Sequence, residues 1–351
     1  MQRVLVAMSG GVDSSVAVHV LLEQGFECVG ATMLLHGSSA GSEQDVADAR
    51  AAARRLGIEH RVYDLTAEFD RLVVAPFVRS YEQGRTPSPC VGCNRDLKFG
   101  ALWECARELG CDRVATGHYA RVERVGARHV LQRAADPGKD QSYMLCLLSQ
   151  EQLGRAVFPL GGMRKAQVRE LAERLGLGNA HKGDSQDICF VPGGDYFAFL
   201  EAYRGKAFEP GDIVTRDGRV VGRHRGAACC TIGQRKGLGV ALREPVYVCG
   251  KDMATNTVVL GPVESLLATS CLVDEWNWIA EPAGEPLRAA VKTHYRHREQ
   301  PATLVPLDAG RVRVEFDEPQ RAMTPGQFAV AYVGDRVVGG GAIDAVGAQA
   351  S

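Results

Sequence analysis

The amino-acid sequence predicts an α/β chain: an N-terminal domain built on a parallel sheet, then two small, mostly β domains, the last a β-barrel. Three observations carry this. Short apolar runs alternate with helix-periodic stretches through the first third, a spacing that suits a parallel sheet with helices on both faces. A turn rich in glycine and serine, "MSGGVDSS" at 8–15, joins the first such run to the first helix. After about residue 205 helical periodicity fades, and short β-like runs separated by Gly, Pro and Asn continue to the end.

Taken in order, residues 4–7 read as a strand. After the turn, Val16, Ala17, Val20 and Leu21 share one helical face until Gly25. Residues 28–35 form the next strand. Ser42 with Asp45 reads as a capping box for a helix that runs through Leu56 and stops at Gly57. Residues 60–65 and 112–120 are further strands, the second running into a loop. Alternation across Gly126 predicts a β-hairpin, and "KAQVRELAERLG" (165–176) an amphipathic helix. The runs "DIVT", "RVVG", "PVYVCG" and "NTVVLG", then "AAVKTHY", "RVRVEF", "QFAVAYV" and "RVVGGGAI", build the β domains. Only the tail "AVGAQAS" reads as disordered. The expected domains are 1–205, 206–270 and 271–351.

The 351 residues are 45% hydrophobic and 24% charged, as in ordinary soluble proteins. No apolar run approaches the ~18 residues that span a bilayer, and no signal peptide is visible. A cytoplasmic protein without a membrane partner is expected. Eleven cysteines in such a chain are not expected to be a disulfide framework. Cys28, Cys105, Cys111, Cys146 and Cys249 sit in apolar or helical surroundings and read as small buried residues. The net charge of -1 rules out a global basic field. Residues 216–251, however, carry eight Lys and Arg against Asp217 and Glu244, which suits either a solvated loop region or a polyanion-binding face.

A strand that ends in a glycine-rich turn and opens a helix is an anion site. The first N–H groups of the helix lack internal partners, and the helix dipole favours negative charge there. Gly10 and Gly11 permit close approach, while Ser9, Ser14 and Ser15 add hydroxyl donors. The lysine-bearing loop GxxxxGK[ST] and the pattern GxGxxG are both absent. A helix start without a ligand is the plain alternative. The stretch "SGGVDSS" resembles the PP-loop of ATP pyrophosphatases, which cleave ATP to AMP and pyrophosphate. That resemblance implies a Rossmann-like adenine nucleotide alpha-hydrolase domain with ATP on Ala7, Met8, Ser9, Gly10, Gly11, Val12, Asp13 and Ser14. Met33 would border the adenine and Gly117 would line the same pocket. Asp13 would help hold Mg²⁺ or the pyrophosphate, and its plain alternative is an acid in a first helical turn.

Two further segments narrow the class: "TPSPCVGCNRDLKFG" (86–100) and "KGDSQDICFV" (182–191). Both resemble the tRNA-uridine 2-sulfurtransferases, the bacterial 2-thiouridylases of the wobble position. The resemblance continues in "ATGHYAR", "GKDQSYML", "TIGQRKGLG", "VKTHYRHR" and "TPGQFAVAY", and covers residues from about 3 to 344. It implies that Cys93 is the nucleophile and that Cys189 bears a persulfide, with a transient disulfide between them. The chemistry agrees. A uracil carbonyl oxygen leaves poorly until AMP is attached to it, and a sulfur nucleophile must then reach the ring carbon. Release of hydrogen sulfide near the base is the alternative route. The sulfur would come from a cysteine desulfurase or a sulfur-relay protein. Ser88, Pro89 and Cys90 would form the target-base loop, and Cys90 departs from the acid that many members of the family carry there. It also creates C-x-x-C with Cys93, and Cys90, Cys93 and Cys189 are the alternative ligands of a [4Fe–4S] cluster, an incomplete set of thiolates.

The resemblance further implies contact with tRNA through His118, through Lys139, Asp140 and Gln141, and through His294, Tyr295, Arg296 and Gln327. Basic residues interleaved with aromatics suit phosphate contact and base stacking. An ordinary turn is the plain alternative for 139–141. Two other functions compete: an amide-forming ATP pyrophosphatase, which leaves Cys93 and Cys189 without work, and a non-catalytic, nucleotide-regulated RNA-binding protein.

Overall fold

The computed structural model describes residues 2–35, 40–180, 182–183, 188–282 and 284–347. The chain divides into two compact units. The first comprises Met1–Val74, Cys90–Gln186 and Gly334–Val338; the second comprises Ala75–Pro89, Asp187–Val333 and Gly339–Ser351.

The strands of the first unit are β1 (Arg3–Ala7), β2 (Glu27–Leu34), β3 (Glu59–Asp64), β4 (Arg113–Ala115), the hairpin β5 (Arg121–Val125) and β6 (Arg128–Gln132), and β7 (Ala156–Val157). Five of them form a parallel sheet in the order β3-β2-β1-β4-β7. Val4, Leu5 and Val6 of β1 are fully buried, the continuous apolar run that a central parallel strand needs when both faces are covered. Helices α1 (Val12–Glu23), α2 (Ala40–Leu56) and α3 (Lys165–Arg174) share one core with the sheet. In α1, Val16, Ala17 and Leu21 are fully buried as the periodicity predicts, but so is Val18, so α1 is packed on more than one side. Ala49, Ala52 and Ala53 of α2 keep that packing close. Truncating Leu21 to Ala in such a site costs about 3 kcal/mol.

One local expectation fails here. Helix α2 begins at Ala40, two residues before Ser42, so Ser42 is not its N-cap. Asp45 closes no capping box; its carboxylate pairs with Lys182 Nζ at 2.7 Å.

In the second unit, α4 (Tyr196–Arg204) is capped by Asp195, whose carboxylate accepts the Ala198 N–H, and it ends on Gly205 in the left-handed region. A four-stranded sheet follows: β8 (Gly211–Thr215), β9 (Val220–His224), β10 (Tyr247–Asp252) and β11 (Thr257–Gly261), in the order β10-β11-β8-β9. Ile213, Val248, Val258 and Leu260 fill its core. The last strands are β12 (Leu267–Trp278), β13 (Leu287–Lys292), β14 (Gln300–Pro306), β15 (Val312–Arg321), β16 (Phe328–Val333) and β17 (Arg336–Val346). They run β12-β15-β14-β13-β16-β17, and pairing of β12 with β17 closes a six-stranded barrel. Val312, Val314 and Phe316 point inward along β15 in strict alternation. Strand β17 extends through Ala345 and Val346, so the tail expected to be disordered is strand at its start. Residues 348–351 lie outside the described residues.

Candidate active site

The glycine turn lies where the strand order reverses. Strand β1 pairs with β2 on one side and β4 on the other, so its carboxyl end opens at the switch point where parallel α/β sheets bind ligands. Gly10 adopts φ +71°, and a Cβ there would stand 2.5 Å from the Asp45 carbonyl oxygen of α2. Gly117, just beyond β4, comes as close: a Cβ would lie 2.9 Å from the Ser14 nitrogen. Gly11 precedes α1 without any side-chain cap. The N–H groups of that first turn therefore have neither an intrahelical acceptor nor a capping oxygen. This is a fit for an anionic group such as a phosphate.

The hydroxyls divide their work. Ser14 and Ser15 are buried, and each donates to the Gly11 carbonyl at 3.1 Å; Ser14 Oγ also accepts the Ser9 N–H at 3.2 Å. They shape the turn instead of facing a ligand. Ser9 is the exposed hydroxyl. Met8 and Val12 are buried beneath the loop, Ala7 ends β1, and Met33 sits half-buried near the end of β2.

A lysine does serve this loop, from far along the chain. Lys165 Nζ lies 2.8 and 2.7 Å from the two carboxylate oxygens of Asp13, and the Tyr119 hydroxyl donates to the same carboxylate at 2.8 Å. Asp13 is thus held by an ion pair with Lys165 and a hydrogen bond from Tyr119. Sequence reasoning missed Lys165. The signal was there: it opens α3, and a cation at a helix N-terminus is electrostatically unfavourable unless something else holds it. Asn179 was missed too. Its Nδ2 donates to the Gly10 carbonyl at 3.0 Å and to Ser15 Oγ at 3.1 Å, while its Oδ1 is buried without a partner. Lys182 ties the following segment to α2 through Asp45 and Asp48.

Cys93, 9% exposed, opens a wide π-helical stretch, Cys93–Ala101. The looser winding leaves carbonyls to be satisfied from outside, and Gln152 Nε2 donates to those of Arg95 and Phe99 at 2.7 and 3.2 Å. Burial pushes the Cys93 thiol up; the charge of Lys98 pulls it back in part. Lys98 also faces His118. Burial first, and then Lys98, holds that imidazole well below its ordinary value, so it is neutral at pH 7. Its Nδ1 lies 2.7 Å from Thr116 Oγ1. Cys93 and Cys90 belong to the first unit; Cys90 is exposed. Cys189 belongs to the second and is exposed beside Phe190, which is buried against Phe77 and Phe199. Residues 184–187 of the "KGDSQDICFV" segment lie outside the described residues. None of the eleven cysteines is in a disulfide, and Cys28, Cys111 and Cys146 are buried as expected, Cys105 and Cys249 partly so. Among the described residues no group of three or more His, Cys, Asp or Glu side chains is arranged to hold a metal ion. The cluster expected on Cys90, Cys93 and Cys189 therefore has no support among the described residues.

The residues expected at RNA fall into two groups. Asp140 and Gln141 have internal tasks: Asp140 accepts the Ala134 and Ser142 N–H groups, and Gln141 Oε1 accepts the Tyr119 N–H at 2.9 Å, bracing the loop beyond Gly117. Lys139 precedes them, half-buried. His294, Tyr295 and Arg296 form the turn after β13, with Arg296, His297 and Arg298 exposed. Burial, then His297 and Arg296, lowers the His294 imidazole, which leaves it neutral. Gln327 is 9% exposed, and its amide donates to the Thr86 carbonyl at 2.7 Å. Of the basic stretch, Arg235 and Lys236 are exposed, whereas Lys251 is turned inward onto the Cys230 carbonyl at 2.9 Å.

The parallel sheet, the anion-binding turn at its switch point and the β domains that follow define a PP-loop nucleotide-binding protein. Family models match along the chain: "tRNA methyl transferase HUP domain" over residues 2–193, "tRNA methyl transferase PRC-barrel domain" over 197–262, and "Aminomethyltransferase beta-barrel domain" over 268–343. The tRNA-specific 2-thiouridylase MnmA of Geobacter metallireducens is 49% identical, covering 98% of this chain and 97% of its own length. Those of Syntrophotalea carbinolica and Treponema denticola are 49% and 45% identical, covering 97% and 98% of this chain and 98% of their own lengths. The chain belongs to the tRNA-specific 2-thiouridylase family.

Proposed function

We propose that this chain is an ATP-dependent tRNA-uridine 2-sulfurtransferase acting at the wobble position. The observation that carries the reading is the uncapped start of α1 at the β1/β4 switch point, with Gly10 and Gly117 pressed close and Asp13 held by Lys165. Backbone N–H groups there and the Ser9 hydroxyl bind the phosphates of ATP. The uracil C2 oxygen attacks the α-phosphorus; an O–P bond forms and the bond to the departing pyrophosphate breaks. The oxygen then leaves as part of AMP.

Sulfur arrives as the outer atom of a persulfide on Cys189, loaded by a cysteine desulfurase or a sulfur-relay protein. It attacks C2, and AMP departs with the C–O electron pair. The Cys93 thiolate attacks Cys189 Sγ, and the electron pair of the broken S–S bond stays on the transferred sulfur. Two thiols are oxidised to a disulfide while the sulfane sulfur is reduced to the thione. An external thiol resets the pair. Lys98 favours the thiolate of Cys93 that this step needs. Mg²⁺ would neutralise phosphate charge when bound, and Asp13, already oriented by Lys165, would help hold it or the pyrophosphate. The exposed Arg235, Lys236 and Arg296 suit contact with tRNA phosphates, and neutral His294 beside Tyr295 suits stacking. A cytoplasmic site of action goes with this substrate; no helix among the described residues is long and apolar enough to cross a membrane.

Methyl transfer, the activity in the matched descriptions, leaves the adenylating loop without a task, as amide synthesis leaves the two thiols. The test is incubation with unmodified tRNA, ATP, Mg²⁺ and a sulfur donor, followed by a thiol-retarding gel. A retarded tRNA band is expected; its absence with a competent donor sinks the proposal.

A further inference from the structure

Gln327 is expected from resemblance to touch tRNA, yet its geometry serves another purpose. The helix Ala75–Glu82 is followed by Gly84 at positive φ, and the chain then runs into Arg85 and Thr86, immediately before Pro87, Ser88 and Pro89. Within the second unit this short stretch is held by the β-barrel. The Thr86 N–H donates to the Pro325 carbonyl at 2.9 Å. The Gln327 side-chain amide donates to the Thr86 carbonyl at 2.7 Å. The side chain stands in for a backbone N–H, so both polar groups of the Thr86 main chain are paired as in a two-bond β-bridge. Arg85 pairs with Asp344 of β17. Gly326, at φ +92°, is the close approach that makes this possible: a Cβ there would stand 3.0 Å from both the Arg85 Cβ and the Thr86 nitrogen. Gln327 is itself fixed, its N–H on the Thr324 carbonyl and its carbonyl accepting the Ile343 N–H at 2.8 Å.

We propose that Gln327 is a positioning residue: with Asp344 it latches the Arg85–Thr86 stretch to the barrel and thereby sets the target-base loop. The loop beyond the latch is stiff, because Pro87 and Pro89 fix φ and restrict the residue before each. Placement of Thr86 is therefore passed along Pro87 and Ser88 to Pro89 and not lost in a flexible linker. The barrel then acts on the reaction by holding this loop, besides any contact it makes with RNA. The inference rests on the reading of Ser88–Cys90 as the target-base loop.

Trypsin reads the latch without any activity. The Arg85–Thr86 bond is a cleavage site that the latch protects, and a lost buried hydrogen bond releases it. Gln327→Glu keeps the side chain's shape but removes the donor. It is expected to speed native-state cleavage at Arg85 roughly tenfold, and Asp344→Asn to do the same. In thiolation assays Gln327→Glu lowers kcat roughly tenfold at saturating tRNA, with Kd for tRNA unchanged. Unchanged cleavage in both variants overturns the latch. A weakened Kd with kcat intact also overturns it, since it marks Gln327 as an RNA contact. If wild-type protein makes no 2-thiouridine, the functional reading fails while the cleavage result still decides the latch.

Discussion

Replacing Lys165 by Met tests the brace of the nucleotide loop. Lys165 Nζ sits 2.8 and 2.7 Å from the Asp13 oxygens, with the two side chains 9% and 30% exposed. Removing one partner of a fully buried pair costs about 3–5 kcal/mol, because the other charge is left uncompensated. Asp13 is partly solvated and keeps the Tyr119 hydroxyl, so the expected coupling is smaller, about 2 kcal/mol. The orphaned carboxylate also lies in the first turn of α1, where phosphates are to bind, and it repels them. A 2 kcal/mol penalty corresponds to a roughly 30-fold weaker Kd for ATP. Calorimetric titration of ATP into the wild type, Lys165→Met, Asp13→Asn and the double variant completes a cycle. The double variant, neutral at both positions, is expected to bind ATP better than Lys165→Met alone. A coupling energy within about 0.3 kcal/mol of zero refutes the brace.

Cys189→Ser is expected to abolish sulfur transfer and to keep tRNA binding by filter retention; normal turnover in that variant removes the persulfide role. Burial raises the Cys93 thiol above its ordinary 9.0, so the protonated form dominates at neutral pH and alkylation of Cys93 speeds up as pH rises through the neutral range. Lys98→Met removes the opposing charge and moves that rise to higher pH; mass-spectrometric alkylation rates at Cys93 check it, and an unmoved profile contradicts it. Gly117→Ala forces a Cβ to 2.9 Å from the Ser14 nitrogen and is expected to weaken ATP binding at least tenfold, with overpacking costing about 1–3 kcal/mol. ATP affinity equal to wild type would show that the β4 loop can move aside.

Legibility in the sequence followed locality. Strands β1 to β3, α1 and the hairpin were readable because each announces itself within a few residues: an apolar run, a 3.6-residue period, or a glycine at a positive-φ turn such as Gly25, Gly57 or Gly126. Strand β14 was not, because Pro301 sits inside it, and β12 was not, because Asp274 and Glu275 interrupt its alternation near a break in register. The glycine turn was legible as an anion site. The partners that shape it were not: Lys165 and Asn179 reach Asp13 and Gly10 from more than 150 positions away, and only folding brings them there. The pairing of Gln327 with Thr86 is of the same kind. Ser14 and Ser15 read as ligand donors from composition, whereas their hydroxyls close the turn on itself. Short polar side chains satisfy nearby backbone groups first, and residue type alone does not say which they will choose.

In the proposed reaction the uracil C2 oxygen is adenylated and then displaced by sulfur. Unmodified tRNA carrying a heavy oxygen isotope at C2 of the wobble uridine tests it most directly, in a single reaction with ATP and a sulfur donor. The isotope is expected to leave in the phosphate of AMP, one labelled AMP for each 2-thiouridine formed. Unlabelled AMP alongside 2-thiouridine, with the isotope in water, would contradict it.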